Sequence, residues 1–146
     1  MGLVRLIYYS DACESLTAKE TVEMLKDASQ RNVDQHLTGF ICFSVEHFLQ
    51  VIEGDPKRVN ALYAKLLRDP RHANPTLLDY RAVEQRAFPT WSMGFASISY
   101  ERGEVVRRYS GNCEFNPARL SAEAALGLLK DMAAFLTERE RQRRVA

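Results

Sequence analysis

Gln50 stands in the middle of an apolar run, His47-Phe-Leu-Gln-Val-Ile-Glu-Gly54, that has the character of a buried strand. An amide without a partner in such a place costs about 1–3 kcal/mol, so Gln50 requires a polar neighbour inside the fold. Tyr8, within Leu3-Val-Arg-Leu-Ile-Tyr-Tyr-Ser10, and Asn32, after a helical run, are placed alike. A phenol, a glutamine amide and an asparagine amide supply donors and acceptors but no strong nucleophile and no metal ligand. That set suits recognition of a polar planar ring better than it suits hydrolysis. His36 and His47 sit beside loops, and no His, Cys and carboxylate spacing matches a metal site. No metal is expected.

Periodicity assigns these groups to strands and helices. Residues 3–10 alternate, with Val4, Leu6 and Tyr8 on one face. Thr17-Ala-Lys-Glu20 has the form of a capping box, opening a helix with Val22, Leu25 and Ala28 on one stripe and an end near Asn32. Residues 37–44 and 47–54 form two apolar strands separated only by Val45 and Glu46, a hairpin spacing without the preferred Gly or Asn. Asp55 caps a second helix with Pro56 in its first turn; its apolar face is Val59, Leu62, Tyr63, Leu66 and Leu67, and Asp69-Pro70 stops it. Residues 76–85 and 91–100 are predicted as two further strands.

The order β-α-β-β-α-β-β predicts an α+β, ferredoxin-like sheet with one extra strand and both helices on one face. A short element at residues 103–109, a loop, and an amphipathic helix from Ser121 complete the chain. That helix carries Ala125, Leu128, Leu129, Met132, Phe135 and Leu136 on one side and is expected to cover the other face. Residues 1–100 and 101–146 are thus read as a sheet domain and a C-terminal helical extension of the same compact unit. No repeat or long linker occurs, so a separate output domain is not expected.

Composition narrows the class. The chain has 146 residues, 46% hydrophobic and 27% charged, with a net charge of +1, the profile of an ordinary globular domain. Neither nucleic acid nor membrane is expected as a partner. Cys13, Cys42 and Cys113 are odd in number and widely spaced, which argues against a disulfide framework and fits a reducing cytoplasm. The tail from Glu138 to Arg144 mixes both signs and is read as a solvated helix end.

Five blocks in order resemble the BLUF family of flavin-using blue-light sensors, in its short stand-alone form. They are Arg5-Leu-Ile-Tyr8, Asn32 with Leu37-Thr-Gly39, Phe48-Leu-Gln-Val-Ile-Glu-Gly54, Asp69-Pro-Arg-His72 and Trp91-Ser-Met93, spread over about residues 3–98. The resemblance implies a flavin held noncovalently: FAD, with FMN or riboflavin as alternatives. It makes Tyr8 and Gln50 the photoactive pair and Asn32 the contact to the pyrimidine side of the ring. Asp69, Arg71 and His72 match the set near the ribityl chain and ring edge. Arg31 stands where relatives often have Asn or His, and Lys65 where some place an arginine. Trp91 and Met93 match the last-strand residues that carry the signal.

By the same resemblance, Tyr8 gives an electron and then a proton to the excited flavin. Gln50 then changes tautomer or orientation and binds the flavin C4=O more strongly, in a slightly red-shifted, still oxidised state. The chain is expected to be a sensor, not an enzyme, that hands its state to its own oligomer or to a separate signalling protein. Three rivals stand beside this reading. An acylphosphatase-like hydrolase needs an anion loop with an arginine near the first strand, which Asp11-Ala-Cys-Glu-Ser15 does not resemble. A light-blind interaction module would share the fold without the colour. Gly111-Asn-Cys-Glu-Phe115 superficially resembles the LOV signature, whose cysteine forms a flavin adduct, but it has Glu after Cys113 and only about thirty residues beyond it.

Overall fold

The fold, a computed structural model, describes residues 2–98, 102–112 and 114–145, with side chains through residue 140. Five strands form one mixed sheet: β1 (Leu3–Ala12), β2 (Thr38–Phe43), β3 (His47–Gly54), β4 (His72–Val83) and β5 (Gly94–Ser97), in the spatial order β4-β1-β3-β2-β5. The first four pair antiparallel in the ferredoxin-like order, and β5 adds parallel to β2.

Helices α1 (Ala18–Asp34) and α2 (Pro56–Leu67) lie on one face. Their starts are capped as the sequence dictates. Thr17 accepts from the Glu20 amide while Glu20 reaches back to Thr17, and Asp55 accepts from the amides of Lys57 and Arg58. The hairpin needs no glycine, because neither Val45 nor Glu46 takes a positive φ. Instead the Ser44 hydroxyl accepts from the Glu46 and His47 amides.

The opposite face is covered by α3 (Gly103–Ser110) and α4 (Ala122–Val145). Leu128, Leu129 and Met132 of α4 are wholly buried against Ile7, Phe40, Leu49 and Val51. Phe135 alone of the predicted stripe stays substantially exposed, flanked by the guanidinium groups of Arg102 and Arg139. No helix of the described residues is long and apolar enough to cross a membrane.

Two strands differ most from expectation, whereas β1 only runs two residues further, to Ala12, and β2 is one residue shorter at each end. β4 begins at His72, four residues before the predicted start at Thr76, because its pairing with β1 runs on through Ala12 and His72. Asn74 takes φ 53° and Pro75 lacks an N–H, yet an edge strand tolerates both, and register shifts in the β1–β4 pairing absorb the irregularity. β5 spans only Gly94–Ser97 where residues 91–100 were predicted; Ser99 and Tyr100 lie outside the described residues. Cys113 also lies outside them. Its neighbour Phe115 packs into the cluster beneath α4, on the face away from α1 and α2.

Candidate functional site

The sheet alternation that buries Tyr8 and Gln50 also makes them partners. They are directly opposite in the β1–β3 register, both pointing toward α1 and α2. The Tyr8 hydroxyl donates to Gln50 Oε1 at 2.5 Å, and Gln50 Nε2 donates to Met93 Sδ at 3.3 Å. Burial holds the Tyr8 phenol far above its ordinary range, with Tyr63 and Asp69 adding to the shift. Tyr63 of α2 packs on the Tyr8 ring, centroids 5.3 Å apart.

This pair sits on the floor of a cleft of about 590 Å³ between α1 and α2, within the range of cofactor sites. Tyr8, Arg31, Asn32, Gln50, Lys65, Asp69, Arg71 and His72, drawn from five separate stretches of sequence, all line it. Trp91 and Met93 do not. Leu25, Ile41, Phe48 and Leu62 supply apolar walls.

Asn32 is buried in the last turns of α1, and its Nδ2 donates to the Ser92 carbonyl at 3.1 Å. Ser29, one turn earlier, shares a 2.7 Å hydroxyl contact with Ser92. At the other end of the cleft, Arg71 Nη2 meets Asp69 at 2.6 Å. This bond and charge pull the Asp69 carboxyl below its usual range, and Asp69 in turn raises Arg71. His72, the first residue of β4, contacts the Leu66 carbonyl through Nε2 and the buried Ser10 hydroxyl through Nδ1 at 2.7 Å. The Leu66 carbonyl can only accept, so Nε2 donates to it. His72 is therefore a cross-link between α2, β1 and β4.

The predicted last-strand pair is split. The regular strand starts at Gly94, so alternation does not extend back to Trp91. Met93 joins the cluster of Leu6, Tyr8 and Ile52 on the cleft face, whereas Trp91 packs against Phe40 on the α4 face, 5.4 Å between centroids. Two glycines permit this. A Cβ on Gly94 would lie 2.4 Å from the Trp91 ring, and one on Gly39 would collide with the Val51 carbonyl and press on the Met93 methyl. Sequence reasoning missed Ser92, Ser10 and Tyr63. Their only signal was position: Ser92 between two singled-out residues, and Tyr63 on the buried stripe of α2.

The BLUF family model, described as sensors of blue-light using FAD, matches residues 3–94. The chain belongs to the BLUF family. The blue light- and temperature-regulated antirepressor BluF of Escherichia coli (strain K12) is 36% identical over 108 residues, 72% of this chain and 26% of that protein. Photoactivated adenylate cyclase subunit beta of Euglena gracilis is 28% identical over 96 residues, 65% of this chain and 11% of that protein. This BLUF chain thus spans about a quarter or less of the length of those relatives. Among solved structures, "BlrB - a BLUF protein, dark state structure" superposes with a TM-score of 0.72 at 26% identity, covering 91% of this chain and 96% of that one. "BlsA photo-activated state" gives a TM-score of 0.79 at 24% identity, over 88% and 93%, a likeness of fold.

The cleft fits the family's cofactor on its own chemistry. Asn32 Oδ1 and the second Gln50 amide hydrogen have no protein partner among the described residues. They leave one acceptor and one donor on the floor of a slot with apolar walls. A flavin ring edge carries C4=O and N3–H, the complementary acceptor and donor.

Proposed function

We propose that Tyr8 and Gln50 are the photoactive pair of this BLUF sensor and that the cleft between α1 and α2 holds the isoalloxazine ring. The observation that carries the reading is the hydrogen-bond chain that starts on the cleft floor at the Tyr8 hydroxyl and runs through Gln50 to Met93 behind it. Bound FAD supplies blue absorption and, once excited, a strong one-electron oxidant. Tyr8 is the phenol that lines the cleft among the described residues, and its hydroxyl proton already points at Gln50 Oε1. Electron loss acidifies that phenol, so the proton moves along the bond to the amide oxygen and returns when the electron does. Meanwhile Gln50 Nε2 spends a hydrogen on a thioether, a weak acceptor. A rotated or tautomerised amide therefore gives up little and gains a stronger bond at the ring edge. Two arrangements of similar energy are what a switch requires.

Asn32 holds the pyrimidine side of the ring. Arg31 and Lys65 flank the mouth, and Asp69, Arg71 and His72 close the end near the ribityl chain. FMN and riboflavin share the ring these residues grip. Output leaves through Met93 and Trp91 to β5 and α4, as a change of shape handed to a second copy or to a separate signalling protein, without catalysis by this chain. The compartment is the cytoplasm, in keeping with free thiols at Cys13 and Cys42. Residues 1–100 form the flavin-binding part and 101–146 the extension that receives its signal.

The test is a light-minus-dark difference spectrum of the purified, flavin-loaded protein. A small reversible red shift is expected. Adduct bleaching that depends on Cys113 would instead favour the LOV reading, and absence of flavin the light-blind module.

A further inference from the structure

We infer that Glu53, together with Arg86, is the anchor that fixes the start of the segment leading into β5, so that a change at Met93 is delivered to β5 and α4 instead of relaxing into the β4–β5 loop. This rests on the output route proposed above. Glu53 lies three residues beyond Gln50 on β3 and points to the opposite face of the sheet, with no exposed surface. A carboxylate so buried is retained only when its oxygens are filled. Here Oε1 accepts from the Phe88 amide at 2.8 Å, and Oε2 from the Ala87 amide and Arg5 Nε, each at 2.9 Å. Arg86, next in line, donates to the Thr38 hydroxyl and to the carbonyls of Glu53 and His36. Residues 86–88 are therefore pinned to the ends of β2 and β3 directly, and to β1 through the Glu53–Arg5 pair.

Downstream of residue 88 the chain is held differently, and that difference gives the anchor its purpose. Pro89 and Thr90 are exposed, and then Trp91, Ser92 and Met93 touch three different neighbours. The Trp91 carbonyl accepts from the Gly39 amide at 2.9 Å, the Ser92 carbonyl from Asn32, and Met93 Sδ from Gln50. Asn32 and Gln50 both line the cleft. A segment contacted by the cleft at two successive residues and immobile upstream has one direction in which to yield, downstream into β5. Phe88, the last pinned residue, stacks on Phe40, which also meets Trp91 edge-on, so the anchored ring is the surface against which Trp91 is judged in or out of place.

Hydrogen exchange read by mass spectrometry, in dark and light, separates an anchor from a merely structural carboxylate. In the flavin-loaded parent, illumination changes exchange in β5 and α4. E53Q keeps the volume but, in either amide orientation, turns its NH2 toward one of the two backbone donors. It should retain the red shift, speed dark exchange at residues 87–93 by about tenfold, and lose most of the light-dependent difference in α4. R86A, which leaves the buried carboxylate intact, should do the same more weakly and decides the matter if E53Q does not fold. A full light-dependent difference in α4 in the variants would overturn the anchor. So would loss of the red shift in E53Q, because Glu53 would then act on the cleft itself. If the parent shows no red shift, it is the photoactive-pair reading that fails, while dark exchange at residues 87–93 still judges whether Glu53 holds the segment.

Discussion

The two faces of this sheet are built to opposite specifications. Toward α4, Leu128, Leu129 and Met132 are packed without exposure against Phe40, Leu49 and Val51, and the buried carboxyl of Glu53 has its oxygens filled. Toward α1 and α2, the helices stand apart over a cleft of about 590 Å³, and the amides on its floor keep unspent donors and acceptors. A close-packed face moves as a body and transmits strain. A face with room and unfinished hydrogen bonding can bind a ring and rearrange. A sensor needs both, and here adjacent residues of single strands supply them: Gln50 faces the cleft while Leu49 and Val51 face α4.

Substitutions on the two faces should separate along this line. The largest effect is expected from Leu128→Ala, which leaves a cavity in the packed face and costs about 2–5 kcal/mol, measured by denaturant unfolding of the apoprotein. Flavin binding by the fraction that remains folded should be unchanged. Leu62→Ala, half-buried on the cleft side, should cost less, about 1–2 kcal/mol, while lowering flavin retention. Equal stability losses with equal retention would erase the contrast.

A smaller effect is expected at Asn32. Asn32→Ala should weaken flavin retention by about 1 kcal/mol or somewhat more, the size of one buried hydrogen bond, measured by flavin titration. It should also free the Ser92 carbonyl. Unchanged affinity would remove Asn32 from the site.

Much of this organisation was legible in the sequence, because caps and alternation are local. Thr17 with Glu20 and Asp55 with Pro56 mark both helix starts, and alternation places Tyr8 and Gln50 on the helix-facing side. What was not legible depends on places where local rules lapse. Bulged pairing at an edge lets β4 run through Asn74 and Pro75 back to His72, so His72 became a cross-link. A bend before Gly94 reverses the facing of Trp91 relative to Met93, and nothing in the alternation of a four-residue strand announces it. Glu53 read as part of a motif, but its partners, the amides of Ala87 and Phe88, are more than thirty residues away.

Met93→Ala sharpens the split between Met93 and Trp91. With the thioether gone, Gln50 loses its link to β5 but keeps Tyr8, so the red shift should survive while light-dependent changes in assembly or partner binding disappear. Size-exclusion chromatography in dark and light, for parent and variant, reads this. Identical responses would place the output elsewhere.

The smallest effect is the absence of one. The Tyr8 pKa is raised in the folded state by burial, so the phenol stays protonated as pH passes the ordinary tyrosine value near 10. The red shift should therefore show no tyrosine titration there. The sign for stability is opposite. Tyr8 in the unfolded chain ionises near 10 and in the folded chain does not, so the fold should lose stability as pH rises above that value.

Whether Tyr8 and Gln50 act together as the photoactive pair is decided by the light-minus-dark difference spectrum of flavin-loaded Tyr8→Phe beside the parent. The substitution keeps the ring packed on Tyr63 and removes only the hydroxyl that donates to Gln50. Flavin should remain bound in both proteins, with a reversible red shift in the parent and none in Tyr8→Phe. A normal red shift in Tyr8→Phe would contradict the pairing.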